Sequence, residues 1–294
     1  MIKGVLAVLA ASVAYGIMPV FSKTAMAQGM NAESVVFFRF LFSSAFALLF
    51  LIKRSNRRYV TRRQLWHLLV FGILGFGMTI NLLTFSYQYI PTGLATMFHF
   101  AYPLVILAVM AVLYHEKITR YKVAAVAVAL AGVALLADFS QGLALPGVLL
   151  ALGSAVTYAA FVIAGRKSSF AILPPMEVIF FVSAFSTLIF GAKSLLLGQL
   201  QAPPNGTAFV CLIIISVVCT IFALAMLTYG IRTLGASTAS VLNMLEPVVS
   251  VVAGVLAFAE PLNIRTMAGC AAIIAASILI VLGERSAQRA DLKQ

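Results

Sequence analysis

Tyr102-Pro103-Leu104-Val105 opens an apolar run that ends in Tyr114-His115-Glu116; 144 residues later, Glu246-Pro247-Val248-Val249 opens another that ends in Phe258-Ala259-Glu260. A second anchor agrees: Gly4-Val5-Leu6-Ala7 returns as Gly147-Val148-Leu149-Leu150, at an offset of 143. The first half of the chain therefore recurs as the second half. In so apolar a chain, that reads as a duplicated membrane unit, a common architecture for secondary transporters.

Composition says what surrounds this unit. The 294 residues are 63% hydrophobic and 10% charged, against about half and a quarter in soluble domains. No soluble fold hides that much apolar surface, so the solvent is lipid. The net charge of +12 does not indicate nucleic acid, because the basic residues sit in loops between apolar runs and form no single face. Cys211, Cys219 and Cys270 lie inside apolar runs without metal or disulfide spacing, and read as packing residues. Lys3 followed by an apolar run imitates a signal peptide, but the run is too long and its repeat partner lies mid-chain; it reads as a retained first helix.

A membrane helix needs about 20 mostly apolar residues. Ten candidates follow: 4–27, 33–52, 66–87, 93–114, 121–138, 147–165, 176–196, 208–229, 236–258 and 265–283. With the N-terminus in the cytoplasm, 16 of the 20 Lys and Arg residues fall at cytoplasmic ends, and only Lys193 and Arg265 fall opposite. That bias places both termini inside. Five helices per half is odd, so the second half enters from the other side. The expected fold is an all-α membrane protein: ten transmembrane helices as two inverted five-helix repeats (1–140 and 147–284), with a cytoplasmic tail at 285–294. Such folds place the substrate site mid-membrane, between the repeats.

The 144-residue offset lays His99 on Asn243, Tyr102 on Glu246 and Pro103 on Pro247. Each span carries a polar patch just before a proline. Proline removes a backbone donor and frees a carbonyl about one turn earlier, which in lipid needs a partner or a wet cavity. Glu246 is the sharpest signal: a mid-membrane carboxylate costs about 2.5–3.5 kcal/mol on insertion scales. It survives as a ligand for a substrate ammonium group, as a proton carrier, or as a structural ion-pair partner. Its candidate counter-charges are Lys23, which could instead snorkel to the interface, and Arg39, which could grip a carboxylate or phosphate with both arms. Asn81, Thr84 and Gln88 form one polar stripe; Ser12, Tyr15 and Pro19 form another, and Tyr158 overlays Tyr15. Such stripes glue helices together as readily as they line cavities. Glu116 and Glu260 read as loop anchors, beside Lys117 and Arg120 and beside Arg265. No nucleotide, zinc-protease or hydrolase fingerprint is present, so an enzyme or an ATP-driven pump lacks support.

The five-plus-five repeat, the Glu246-Pro247 element and the Glu116 and Glu260 loop ends together resemble the EamA-type ten-helix branch of the drug/metabolite transporter superfamily. The resemblance spans essentially the whole chain. It implies a bacterial inner-membrane exporter of amino acids or other metabolites, with a central cavity between the repeats. No cofactor is expected, though proton coupling is compatible; a five-plus-five repeat needs no partner to build the cavity, so a monomer suffices and a dimer is compatible. Relatives also carry phosphorylated sugars, nucleotide sugars or cations. Tyr102 departs from the repeat by standing opposite Glu246, so one mid-membrane carboxylate is available rather than two. The expected partners are a small-molecule substrate and the bilayer. A zwitterion would sit between Glu246 and Arg39, oriented by Tyr102, His99 and Asn243. The rivals are an organic-anion or cation carrier of the same fold, and a channel or scramblase.

Overall fold

The computed structural model describes residues 1–53, 60–86, 88–90, 92–116, 118–137, 144–259 and 262–291. Arg54, Arg57, Arg58, Lys117, Glu260 and Lys293, with the side chains of Thr84, Arg285 and Arg289, lie outside the described residues. Helices α1 (Ile2–Gly16) and α2 (Met18–Ala27) form the first run, α3 (Ala32–Lys53) the second, and α4 (Arg62–Val70) and α5 (Met78–Ser86) the third. The fourth is α6 (Thr92–His99) with α7 (Tyr102–Val112), and the fifth is α8 (Arg120–Leu136). The second half follows with α9 (Leu145–Lys167), α10 (Pro175–Leu196), α11 (Gly206–Ser216) joined to α12 (Ala223–Leu234), α13 (Ala236–Asn243) with α14 (Glu246–Phe258), and α15 (Ile264–Asp291).

Nine of these runs are long and apolar enough to cross a membrane among the described residues. The tenth expected span is α8, which at 17 residues is shorter. It still passes from one end of the bundle to the other: Lys122 pairs with Glu116 at one end, and Arg265 donates to the carbonyl of Ala137 at the other, 2.6 Å away. The remaining contacts sort the loops in the same way. Gly4 packs on Thr233 and Leu234, and Gly283 on Tyr121; Gln64 Nε2 donates to Ser169 O at 3.2 Å; Arg166 donates to Arg232 O. At the opposite end Asn31 Nδ2 donates to Gln199 O at 2.6 Å, Asn205 Nδ2 to Gln28 Oε1 at 2.9 Å, and Gly147 packs on Tyr89 and Ile90.

The sequence repeat has local backbone counterparts. His99 and Asn243 each end a half-helix; Tyr102 and Glu246 each begin the next. Between them the chain tightens to i→i−3 bonds, Ala101 N to Phe98 O and Met244 N to Val241 O. Both runs close on a left-handed residue, His115 (φ 51°) and Ala259 (φ 52°). The third helix of each half widens into a π-helix, at Phe71–Gly77 and Val217–Phe222. Lipid supplies no hydrophobic drive between helices, so close packing and hydrogen bonds must hold them together. Phe40 accordingly lies edge-on to Phe76 and stacked on Phe190, with ring centroids 5.8 and 5.7 Å away. Gly16 brings the break in the first run against the break in α13–α14, where a Cβ would come 2.8 Å from Glu246 O.

Candidate functional site

The proline breaks place the polar groups. At the α13–α14 break, Met244 N bonds Val241 O and leaves the carbonyl of Ser240 open. Tyr102 OH donates to that carbonyl at 3.4 Å and accepts from Asn243 Nδ2 at 3.2 Å. The second amide proton of Asn243 points to Glu246 Oε2, 3.3 Å away. This fixes the amide: flipped, its oxygen would face the carboxylate. Ser12 Oγ, 3.0 Å from Val8 O, also lies 3.3 Å from Asn243 Oδ1. At the first run's break, Ser250 from α14 donates to the carbonyl of Gly16 at 3.0 Å. Each half thus satisfies carbonyls that the other half's break sets free, as a lipid environment requires.

Glu246 is the first residue of α14, where the partial positive end of the helix favours a carboxylate. Arg39, in α3, is 9% exposed. Its Nε donates to Thr220 Oγ1 at 2.8 Å, and Thr220 in turn donates to Ile215 O, five residues back, at 2.9 Å. Thr220 lies in the π-helix Val217–Phe222, whose widened turn presents its hydroxyl to Arg39. The described residues give the terminal nitrogens of Arg39 no hydrogen-bond partner. Arg39 and Glu246 act on each other electrostatically, and on Tyr15 and Tyr158. No ion pair within 4 Å joins the two charges among the described residues.

Aromatic rings complete the cluster. Tyr102 and Tyr158 meet edge to face with centroids 4.7 Å apart, and His99 lies 5.4 Å from Tyr158 and 5.6 Å from Tyr102. Ser154 Oγ donates to Ala151 O at 2.6 Å, so His99 Nδ1, 2.9 Å from the same hydroxyl, must carry the proton. Its Nε2 makes no hydrogen bond among the described residues.

Of the residues expected from sequence, Glu246, Arg39, Tyr102, His99, Asn243, Tyr15 and Tyr158 come together, and Pro103 and Pro247 start the helices that carry them. Lys23, Pro19 and Asn81 do not join them. Lys23 and Pro19 are exposed; the ammonium of Lys23 lies over the Phe258 ring, 5.3 Å from its centroid, in a side cleft shared with Pro19 and Ser250. Asn81 donates to Gly77 O at 3.2 Å and lines a small groove with Glu33 and Lys193. Position along a span gives depth, and these three sit on other faces. Glu116 pairs with Lys122 at 2.8 Å rather than with Arg120, whose guanidinium lies over Tyr121. Sequence reading missed Thr220 and Ser154, because a hydroxyl in an apolar helix usually bonds its own backbone and carries no signal.

A transporter of Archaeoglobus fulgidus is 22% identical over 263 residues, covering 86% of this chain and 89% of its own. An S-adenosylmethionine uptake transporter of Rickettsia felis is 26% identical over 263 residues, covering 88% and 85%. A solved crystal structure shares the fold with a TM-score of 0.76 at 21% identity, covering 94% of this chain and 98% of that one. The model of the EamA-like transporter family matches twice, over residues 2–137 and again over 145–282. With both halves of its apolar helical bundle matched in this way, the chain is a membrane protein that belongs to the EamA-like transporter family.

Proposed function

We propose that the protein is a secondary transporter that moves an amino acid or a related amphipathic metabolite across a bacterial inner membrane. Ten spans form two inverted five-helix repeats, residues 1–140 and 147–284, with both termini and the 285–294 tail in the cytoplasm. The repeats rock around the Arg39–Glu246 cluster, and one chain suffices to build it. The observation that carries this reading is a pair of opposite charges, one from each half, that share one aromatic cluster without closing on each other. Two such charges in a membrane interior are costly unless something completes them. A zwitterion does so: its carboxylate meets the free guanidinium nitrogens of Arg39, and its ammonium group meets Glu246. The relatives named for S-adenosylmethionine fit this reading, because that compound keeps an amino-acid head. With no ATP machinery, direction follows the gradients, and export is the direction proposed for a metabolite that accumulates inside.

Counterflow in proteoliposomes tests the proposal, with vesicles loaded in turn with neutral amino acids, S-adenosylmethionine, organic cations and phosphorylated anions. Exchange of a zwitterion, lost in Glu246→Gln, supports it. Exchange confined to anions or cations overturns the substrate class, and flux without saturation or counterflow overturns the carrier. If Glu246 is instead a proton carrier, Glu246→Gln keeps counterflow and loses gradient-driven uptake.

A further inference from the structure

At the end of the bundle that holds Arg166 and Arg232, a cleft of about 430 Å³ lies outside the Arg39–Glu246 cluster, between the third, fourth and sixth helical runs. That volume is in the range of ligand-holding clefts, about 300–1,000 Å³. Val105, Val109, Val156 and Ile163 wall it, and Tyr114 and Lys167 stand at its mouth. His67 and Ser168 add polar groups at the same mouth. The cleft opens on the flank of the bundle: Val156 is 54% exposed and Tyr114 42%. The Lys167 ammonium rests 4.7 Å above the Tyr114 ring and has no carboxylate partner among the described residues.

We propose that this cleft binds an anionic phospholipid of the adjoining leaflet, its phosphate on Lys167 and one acyl chain along the valines. Three observations carry the assignment. The apolar walls belong to spans that the bilayer covers, so a lipid chain, not water, fills them. The charge lies only at the interfacial end of the cleft, as in a lipid, whereas a soluble anion would leave the walls empty. That end of the bundle also gathers Arg62, Arg63, Arg166 and Arg232, and basic pockets between helices on such a face select anionic headgroups. The repeat supplies a counterpart of about 210 Å³, where Lys23 and Phe258 stand 144 residues from Lys167 and Tyr114. A lysine that merely snorkels predicts no preference among headgroups, and that difference is measurable.

The purified full chain in detergent is offered equimolar phosphatidylglycerol and phosphatidylcholine with identical acyl chains, and retained lipids are counted by native mass spectrometry. The protein should retain phosphatidylglycerol in excess. Lys167→Gln should lower that excess about fivefold, while Lys167→Arg and Lys3→Gln keep it. Val109→Trp fills the cleft below an intact lysine and should lower retention of both lipids. Equal retention of both lipids by the unmodified protein overturns the proposal. So does an excess unchanged by Lys167→Gln, or a retention of both lipids unchanged by Val109→Trp. Thermal stabilisation by inorganic phosphate equal to that by phosphatidylglycerol marks a soluble-anion site, and overturns it as well.

Discussion

At the scale of single residues, the site rests on side chains that hold other side chains. Thr220 accepts the Nε proton of Arg39 and so sets where the rest of the guanidinium points. Thr220→Val removes that acceptor from a buried charge, a loss worth about 1.5–3 kcal/mol for a hydrogen bond to a charged group. The KM for a carboxylate-bearing substrate should rise about tenfold or more, with a smaller change in kcat. An unchanged KM in a folded variant would show that Arg39 does not touch the substrate. Tyr102→Phe leaves Ser240 O and Asn243 Nδ2 without their shared hydroxyl; it should cost about 1–3 kcal/mol of stability, read as a lower Tm in detergent. Glu246 and Arg39 were legible because a charge inside an apolar run has few bland explanations. Lys23 carries the same signal, yet it reaches outward to Phe258. Lys23 sits between Ser22 and Thr24 near the end of its run, whereas Arg39 sits between Phe38 and Phe40; helix packing completes the separation.

At the scale of elements, the proline breaks were visible in sequence and the π-helices were not. Proline announces a missing donor, whereas a π-helix inserts one residue with no preferred composition. Pro247→Ala tests what the break does. Alanine restores an N–H that can bond Asn243 O, so α13 and α14 can run on as one helix. The Tm should stay level or rise, because proline at the second position of α14 costs little to begin with and the joined helix gains the restored N–H bond. Counterflow should nevertheless fall, because a straightened run moves Glu246 off the α14 N-terminus and closes the carbonyl of Ser240 against Tyr102. A Pro247→Ala protein that is more stable and equally active would reduce the break to a packing feature.

At the scale of the whole molecule, the duplicated sequence becomes a pair of matched contacts. Lys167 lies over Tyr114, joining α9 to the turn after α7, and 144 positions away Lys23 lies over Phe258, joining α2 to α14. Each contact ties one half of the chain to the other, and the two sit at opposite ends of the bundle. If the halves rock, opening one end strains the contact there and leaves the other intact. Tyr114→Leu and Phe258→Leu therefore bias one equilibrium in opposite directions. A partly exposed cation–aromatic contact is worth about 0.5–1 kcal/mol, or about two- to fivefold in population. Cys219, fully buried beside the Arg39 cluster, is the reporter once Cys211 and Cys270 are replaced by alanine. An impermeant thiol reagent should label it about two- to fivefold faster from the Lys167 face in Tyr114→Leu and slower from the other face. Phe258→Leu should reverse the pattern. Labelling that changes in the same sense from both faces would mean that the contacts only stabilise the bundle, and that reciprocal rocking is not how this chain moves its substrate.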